Sequence, residues 1–303
     1  MDTKINFCGI EFKNPIITAS GTFGFGEEYN DYAPLSEYGG FTAKGLTRHE
    51  RAGNPAPRIA ETPAGILNSV GLQNPGVEYF AAHIMPGLKD CGAHVIANMS
   101  GNTVEEYCEM AEILSDTDVA MIEMNISCPN VKHGGLAFGT DAKVVQELTA
   151  QVKKHCKKPL IVKLSPNVTS IKDIALAAEA GGADALSLIN TLLGMKIDID
   201  TRKPILANNT GGLSGPAVMP VAVRMVHEVH SVTALPIIGM GGCMSGADAI
   251  EFMLAGARLV ALGTGLFLHP DLILKVKEEI GQYMQKHRIE ELRSIIGTLE
   301  LNA

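Results

Sequence analysis

Short apolar segments alternate with longer amphipathic segments along the whole chain. Eight apolar runs have the length and composition of buried β-strands. They span residues 15–20, 40–45, 94–100, 119–125, 160–165, 185–191, 236–241 and 259–263. Segments with helical periodicity lie between them, at residues 103–114, 141–156, 171–180, 216–229, 245–255 and 270–286. Strands and helices that alternate at this spacing predict a parallel sheet, because each helix returns the chain to the same end of the sheet.

Eight strand–helix units predict an α/β fold of the (β/α)8 TIM-barrel type rather than an open sheet. Residues 5–12 are predicted to form a small N-terminal β-hairpin that covers the bottom of the barrel, and residues 47–75 to form a long βα-loop insertion. No linker, internal repeat or low-complexity segment divides the chain, so we expect a single domain over residues 1–303. Function in such a barrel lies at the carboxyl ends of the strands.

Most of the predicted strands end in polar residues or glycine. The ends are Ser20-Gly21, Lys44-Gly45, Asn98, Asn125, Lys163, Asn190-Thr191, Gly241-Gly242 and Gly263-Thr264. Loops begin at these points, which accounts for part of the polarity. It accounts less well for lysine and asparagine inside otherwise apolar strands, since a buried lysine is costly without a charge partner. Lys44 and Lys163 on one rim therefore indicate an anion or an electron-rich ring at that rim.

Glycine-rich segments mark the last two predicted strands and the start of the 216–229 helix. They are Gly241-Gly242, Gly263-Thr264 and the loop from Gly211 to Gly215. Glycine lets backbone N–H groups approach a phosphate closely, and barrels frequently bind phosphate in this region. Glycine pairs also end strands for simple turn reasons, but three on adjacent elements favour a phosphate-bearing ligand. A mononucleotide-like cofactor is expected, because no dinucleotide fingerprint or P-loop is present.

The stretch from Asn125 through Cys128 to Asn130 carries the most specific chemistry. Two amides and a thiol follow a buried strand, and a proline fixes the turn after the thiol. Because an amide both donates and accepts, paired asparagines suit a flat polar heterocycle. Cys128 could act as a nucleophile, a metal ligand or a general base, or it could be a buried structural cysteine.

Further asparagines follow other predicted strands and loops. Asn68 and Asn190, together with Asn125 and Asn130, could surround a small polar substrate, or each could cap its own turn. The turn is the better interpretation for two others beside proline, Asn74 and Asn167.

Composition excludes several classes of protein. Hydrophobic residues make up 46% and charged residues 19% of the chain, which fits a large core. The net charge of −8 argues against a nucleic-acid partner. With no apolar run of membrane-spanning length and no signal peptide, we expect no membrane association and a cytoplasmic location. None of the six cysteines forms a CxxC pair, so neither a metal site nor an iron–sulfur cluster is indicated in this chain.

From end to end, the order of these motifs resembles the dihydroorotate dehydrogenase family, the flavoenzymes of pyrimidine synthesis. The matching motifs are Ala-Ser20-Gly-Thr-Phe-Gly, Thr-Ala-Lys44-Gly, Asn68-Ser-Val-Gly-Leu, Asn125-Ile-Ser-Cys128-Pro-Asn130, Val-Lys163-Leu-Ser-Pro-Asn, Ile189-Asn190-Thr191, Gly-Gly-Leu-Ser-Gly215 and Gly241-Gly242. A cysteine at position 128 and the lack of an N-terminal membrane-binding extension resemble the soluble class. The segments after Asn130 and from Arg202 to Pro216 resemble its NAD-linked subclass.

The resemblance implies one bound FMN per chain and a dihydroorotate site above it. FMN would be held by Ser20, Lys44, Gly45, Asn98, Asn125, Lys163, Ile189, Gly215, Gly241, Gly242, Gly263 and Thr264. Dihydroorotate would contact Lys44, Asn68, Ser69, Val70, Gly71, Leu72, Asn125, Asn130, Asn190 and Thr191. Cys128 would remove the C5 proton while the flavin N5 accepts the C6 hydride. A separate electron-transfer subunit, carrying FAD and a 2Fe–2S cluster, would pass the electrons to NAD, with a homodimer of this chain inside a heterotetramer.

Three alternatives remain open from the sequence. One is a fumarate-linked soluble enzyme that acts without a partner subunit. Another is a Schiff-base aldolase on the same barrel, with Lys163 as the nucleophile. The third is a flavin- or nucleotide-binding subunit without catalytic activity, in which the Cys128 thiol is structural.

Overall fold

The computed structural model describes residues 1–127 and 138–302, and a parallel eight-stranded sheet forms their centre. Its strands are β1 Ile16–Thr18, β2 Gly40–Thr42, β3 His94–Met99, β4 Met121–Asn125, β5 Leu160–Lys163, β6 Ala185–Leu188, β7 Ile237–Met240 and β8 Leu259–Leu262. They pair in the order β1-β8-β7-β6-β5-β4-β3-β2. The Gly39 amide donates to the Ile16 carbonyl at 2.9 Å and links the two outermost strands. The prediction of a (β/α)8 barrel is confirmed, with every strand somewhat shorter than predicted.

Six predicted helices lie on the outside of the sheet. They span Val104–Ser115, Ala142–His155, Ile171–Ala180, Met219–His230, Gly246–Leu254 and Leu272–His287. Four of them begin where a hydroxyl or carboxylate accepts a hydrogen bond from the first turn, which satisfies an otherwise unpaired N–H group. These N-caps are Thr103, Asp141, Ser170 and Ser245.

Shorter helical segments complete the connections. After β2, an α-helical turn Val77–Tyr79, a π-helical turn Phe80–Ile84 and a second α-helical turn Met85–Leu88 follow one another. The sequence did not predict this helix, which contains Pro86 and Gly87 in its last turn. The other short helices are Glu27–Tyr29, Leu35–Glu37, Phe138–Thr140, Pro216–Val218, Gly265–Leu268 and Leu292–Ile295.

An antiparallel hairpin of Ile5–Phe7 and Ile10–Phe12 covers the amino ends of the barrel strands. The Phe7 and Phe12 side chains are fully buried. At the hairpin turn, the Cys8 thiol lies 3.4 Å from the carbonyl oxygen of Asp184, immediately before β6. The predicted N-terminal hairpin is therefore confirmed, at the end of the barrel opposite the predicted site.

A second, antiparallel sheet lies at the carboxyl ends of the barrel strands. It contains Ile59–Thr62, Gly65–Asn68, Leu192–Gly194 and Gly211–Ser214. A separate two-stranded ladder pairs Ile197–Asp198 with Lys203–Pro204. Residues 47–75 and 211–215 were predicted as loops, and this is wrong for the parts that form strands. Their pairing joins two distant βα loops, and local periodicity cannot reveal contacts between segments so far apart in sequence.

Most buried side chains of the barrel strands are apolar, but β3, β4, β5 and β6 each carry a buried polar one. These are Asn98, Glu123, Lys163 and Ser187. Within residues 1–127 and 138–302, no helix combines the length and apolarity needed to cross a membrane.

Candidate active site

The second sheet joins the loops that follow β2 and β6. Asn68 pairs in register with Gly212, and Leu192 pairs with Leu213. The long loop after β2 and the loop after β6 are therefore held against each other above the barrel. Polar residues from separate strand ends consequently surround one mouth.

A buried carboxylate lies on β4, two residues before the end of the strand. Glu123 on β4 accepts hydrogen bonds from Asn98 Nδ2 at 2.6 Å and Ser187 Oγ at 2.7 Å. Lys163 Nζ is 3.4 Å from the same carboxylate oxygen that Asn98 contacts. The Glu123 and Lys163 side chains are 1% and 6% exposed. The sequence led us to expect an anion or ring as the counterpart of Lys163, whereas its charge partner is a carboxylate of the protein itself.

Lys44 is the second lysine of the rim and has a different environment. Among the described residues it forms no ion pair, and its Nζ reaches toward Gly21. Burial, with a smaller contribution from the nearby positive charge of Arg58, lowers the pKa of the Lys44 ammonium. An anionic or electron-rich ligand would therefore find an uncompensated positive charge here.

Gly45 allows the neighbouring groups to approach closely. A Cβ atom at this position would lie 2.8 Å from Asn98 Oδ1, 3.4 Å from Leu72 Cδ2 and 3.7 Å from Ser20 Oγ. The Ser20 hydroxyl itself donates to the Ala43 carbonyl at 2.8 Å. Residues from four strand ends and loops therefore meet at one point of the rim, and a larger residue at position 45 would separate them.

Asn125 and Asn190 form a hydrogen-bonded pair between β4 and the loop after β6. Asn190 Nδ2 donates to Asn125 Oδ1 at 3.2 Å, and the Ser127 amide donates to the same oxygen at 3.1 Å. The side-chain oxygen Oδ1 of Asn190 accepts from the Thr191 backbone amide at 2.8 Å. Because both side-chain oxygens are occupied, the unused groups of this pair are N–H donors, which suit carbonyl or carboxylate oxygens of a ligand.

The segment from Asn68 to Leu72 is braced from behind by Asn54. Asn54 Nδ2 donates to the Ser69 backbone carbonyl oxygen at 2.9 Å and lies 3.1 Å from the Ser69 hydroxyl. The backbone N–H of Asn54 donates to the Val70 carbonyl oxygen at 2.9 Å. Gly71 and Leu72 both have positive φ, 76° and 56°. A Cβ at Gly71 would lie 2.6 Å from the Asn54 side chain, so glycine is required for this brace.

Asn68 and Thr191 approach each other across Gly212. Asn68 Nδ2 is 3.4 Å from the Gly212 carbonyl oxygen. The Thr191 side chain occupies the space that a Cβ of Gly212 would fill. The missing side chain of Gly212 therefore brings two predicted substrate residues to the same part of the mouth.

The glycine-rich segments meet on the other side of the mouth. Gly215, with φ 107°, and Gly242, with φ 85°, approach so closely that a Cβ on Gly242 would lie 2.8 Å from the Gly215 carbonyl oxygen. The Thr264 hydroxyl donates to Ser214 Oγ at 2.8 Å and joins β8 to the same group. Three separate segments thus converge, as the sequence predicted for a phosphate-binding region.

Ile189 and Gly263 complete the set of predicted cofactor residues. A Cβ on Gly241 would lie 3.2 Å from Ile189 Cγ1, so the ends of β6 and β7 touch. A Cβ on Gly263 would have only Ala19 Cβ nearby, at 3.7 Å. A Cβ on Gly263 would therefore not contact Gly215 or Gly242. Its neighbour Thr264 is connected to that region by its hydrogen bond to Ser214.

Two predicted site residues, Cys128 and Asn130, lie outside the described residues. Asn74 caps its own turn, as predicted, because its side chain accepts from the Gly76 amide at 2.8 Å, but it also accepts from the distant Thr47 amide at 3.1 Å. Asn167 reaches further than its own turn, because its Nδ2 donates to the Thr191 carbonyl at 2.9 Å. It holds the loop that carries Thr191.

Several residues of the mouth were missed by sequence reasoning. They are Asn54, Glu123 and Ser187. The sequence could have indicated Glu123, because it is the only charged residue in the apolar run before Asn125. Side chains alternate along a strand, so Glu123 also lies on the same face as Asn125. Asn54 and Ser187 had none, since only tertiary pairing brings them to the mouth. Among the described residues, no cluster of metal-ligating side chains is present.

Comparison with known proteins shows which family this chain matches. The family model described as "Dihydroorotate dehydrogenase" matches residues 3–284. The chain is 55% identical over 299 residues to the Alkaliphilus metalliredigens (strain QYMF) protein named "Dihydroorotate dehydrogenase B (NAD(+)), catalytic subunit", with 99% of each chain covered. Proteins with the same name from Geobacter sp. (strain M21) and Bacteroides fragilis (strain YCH46) are 54% and 52% identical over 301 residues, again with 99% of each chain covered.

Proposed function

This chain belongs to the dihydroorotate dehydrogenase family of oxidoreductases, and we propose that it oxidises dihydroorotate to orotate as the catalytic subunit of an NAD-linked enzyme. The observation that carries the proposal is the convergence of two kinds of group at one barrel mouth. Glycine backbone segments lie on one side, and amide and lysine side chains, of which Asn98 and Lys163 are buried, lie on the other. Together they suit a cofactor with a phosphate at one end and a polar ring at the other.

FMN is the cofactor implied by the family, and the described residues fit it. Asn98 Oδ1 is buried and has no hydrogen-bond partner among the described residues, so an acceptor is available for a ligand N–H or hydroxyl group. At the opposite side, the backbone contact between Gly215 and Gly242 leaves no room for side chains. We propose that Ser20, Lys44, Gly45, Asn98, Asn125, Lys163 and Ile189 hold the ring and ribityl parts, and that Gly215, Gly241, Gly242, Gly263 and Thr264 hold the phosphate.

Dihydroorotate carries carbonyl oxygens and a carboxylate, all of which are acceptors. The free N–H groups of Asn125 and Asn190 match these acceptors, and the Lys44 ammonium matches the negative charge. We propose that these three residues orient the substrate together with Thr191, Asn130 and the braced segment from Asn68 to Leu72. The amides achieve this without adding charge to the pyrimidine.

The reaction removes a proton from C5 and a hydride from C6 of dihydroorotate. FMN, when bound, supplies the hydride acceptor. We propose that the Cys128 thiolate takes the proton, a role that rests on the sequence motif, since this residue lies outside the described part of the chain. A cysteine of ordinary pKa, about 8.5, is mostly protonated at neutral pH, so turnover should rise with pH through the thiol titration.

The aldolase and fumarate-linked alternatives are less well supported than the NAD-linked dehydrogenase. A Schiff-base lysine must reach the carbonyl carbon of its substrate with a free amine, whereas Lys163 Nζ is buried and lies 3.4 Å from the Glu123 carboxylate. The NAD-linked assignment over the fumarate-linked one rests on the names of the relatives. We propose a separate partner subunit with FAD and a 2Fe–2S cluster, and a homodimer of this chain within a heterotetramer. The cytoplasmic location expected from the sequence stays a prediction.

An anaerobic visible spectrum of the purified chain tests this function. FMN bound to the chain should absorb in the visible range and bleach when dihydroorotate is added. A bound flavin that dihydroorotate fails to bleach would overturn the substrate. Rapid reoxidation of the bleached chain by fumarate alone would overturn the NAD-linked subclass.

Cys128→Ala tests the proposed base in the same assay. Bleaching should slow by at least about 100-fold, because general base catalysis contributes factors of this order, while the FMN content stays unchanged. Cys128→Ser is the matched variant, since it keeps the size of the side chain but not its acidity. Bleaching of Cys128→Ala at the wild-type rate would remove Cys128 from the mechanism.

A further inference from the structure

Glu123 is a buried charge to which neither the sequence motifs nor the family resemblance assigns a role. One of its oxygens contacts both Asn98 Nδ2, at 2.6 Å, and Lys163 Nζ, at 3.4 Å. The other accepts from the Ser187 hydroxyl at 2.7 Å. Burying a carboxylate is costly, and a pair of apolar residues in its place is often at least as stable. Stability alone is therefore a weak explanation for this group.

The carboxylate determines which way the Asn98 amide faces. An ionised carboxylate only accepts hydrogen bonds, so the Asn98 atom beside it must be the NH2 group. The carbonyl oxygen Oδ1 then faces the other way, toward Gly45, where a Cβ would lie only 2.8 Å from it. This oxygen is buried and has no partner among the described residues. Glu123 thus leaves one free acceptor pointing at the rim where Ser20 and Leu72 also lie.

The pairing register of the barrel strands holds these side chains in place. Asn98 is opposite Glu123 in the ladder between β3 and β4, and Ser187 is opposite Lys163 in the ladder between β5 and β6. All four side chains are buried. The orientation of Asn98 and the place of the Lys163 ammonium are therefore both set by one carboxylate before any ligand arrives.

We propose that Glu123 is a positioning residue for the flavin site, acting through Asn98 and Lys163. It presents the Asn98 carbonyl oxygen as a hydrogen-bond acceptor and holds the Lys163 ammonium beside it, so the site offers an acceptor and a positive charge in a fixed arrangement. This inference rests on the proposed function, because it requires the ligand at this rim to be FMN.

Glu123→Gln removes the charge and keeps the shape. A glutamine amide can either donate or accept, so it no longer dictates the orientation of Asn98. We expect FMN affinity, measured by quenching of FMN fluorescence, to fall about 10- to 100-fold, the range for disturbing hydrogen bonds to charged groups. The reduction potential of bound FMN should also become more positive, because a negative charge near the ring is lost while Lys163 remains.

A double-variant cycle with Asn98→Ala separates positioning from simple support of the fold. If Glu123 acts through Asn98, Glu123→Gln should lower FMN affinity much less in the Asn98→Ala background than in the wild type. Equal losses in both backgrounds would overturn positioning through Asn98. An unchanged potential in Glu123→Gln would overturn the part assigned to the charge.

Ser187→Ala is the matched control, because it removes a hydrogen bond to the same carboxylate and leaves the charge and Asn98 in place. The FMN affinity of Ser187→Ala should stay within a few-fold of that of the wild type. Should Glu123→Gln fail to fold, Glu123→Asp keeps the charge on a shorter arm and should restore the wild-type potential while weakening affinity. A wild-type chain that binds no FMN would instead disprove the proposed function, which distinguishes the two failures.

Discussion

The two sides of the barrel mouth differ in whether backbone or side chains form the contacts. We call the group of Gly215, Gly241, Gly242, Gly263 and Thr264 the phosphate end. We call the group of Ser20, Lys44, Asn98, Asn125, Glu123 and Lys163 the ring end. At the phosphate end, backbone approaches backbone at Gly215 and Gly242, whereas the ring end contains a buried group of side chains joined by hydrogen bonds and an ion pair.

The difference determines how each end tolerates change. At the phosphate end, a side chain is harmful where it adds atoms, since the space is filled by neighbouring backbone. At the ring end, removing a side chain of the paired group formed by Asn98, Glu123 and Lys163 is harmful, since the loss leaves a buried polar partner unsatisfied. An added side chain at Gly215 and a deleted side chain in the paired group of the ring end should therefore both be damaging, for different physical reasons.

Gly215→Ala is the addition with the largest expected effect. Its φ of 107° is unfavourable for alanine, and the new Cβ would lie 2.7 Å from Gly65 Cα, which cannot move as a side chain can. We expect the free energy of unfolding, measured in urea, to fall by about 2–4 kcal/mol and FMN affinity to fall at least about 100-fold.

Gly263→Ala is the matched control at the same end. Its Cβ would meet only Ala19 Cβ, at an ordinary 3.7 Å. The free energy of unfolding should change by less than about 1 kcal/mol. Equal losses in the two alanine variants would show that backbone contact at Gly215 is not what shapes the phosphate end.

The sequence predicted more of the phosphate end than of the ring end. Gly241-Gly242, Gly263-Thr264 and the glycines before Pro216 form recognisable local patterns, and strand order places them together. The ring end depends on which side chains meet across neighbouring strands. Glu123 was read as part of an apolar run, and Ser187 gave no signal, because a hydrogen bond across the barrel interior has no local counterpart. The second sheet was missed for the same reason.

Lys44→Met tests the ring end by removing a half-buried charge that has no carboxylate partner among the described residues. We expect the rate of flavin bleaching by dihydroorotate to fall about 100-fold, because the positive charge facing the ligand is lost. The FMN-free chain should instead become more stable by about 1 kcal/mol in urea unfolding at pH 7, as is common when a strained functional group is replaced.

The pH dependence of this stabilisation follows from the pKa of Lys44. Burial lowers that pKa below the ordinary value of 10.5, so between the lowered pKa and 10.5 the unfolded chain binds more protons than the folded one. The free energy of unfolding of the wild type should therefore rise with pH across this window relative to Lys44→Met. Lys143→Met, at an exposed surface ion pair, is the control and should show no such difference. A stability gap that stays constant with pH would contradict the burial of a charged Lys44.

Thr264→Val is the deletion at the phosphate end and has the smallest expected effect. It removes the hydroxyl that donates to Ser214 Oγ at 2.8 Å and keeps the shape of the side chain. The free energy of unfolding should fall by about 1 kcal/mol, and FMN affinity, measured by fluorescence quenching, by less than about 10-fold.

Ser214→Ala removes the other half of the same contact, so the double variant should be little worse than either single one. The comparison between the two ends depends on this result. If backbone N–H groups carry the phosphate, a lost hydroxyl only loosens the connection between β8 and the Gly211–Ser214 strand. If Thr264→Val instead abolished FMN binding while Gly215→Ala left it intact, the phosphate end would work through its side chains, as the ring end does.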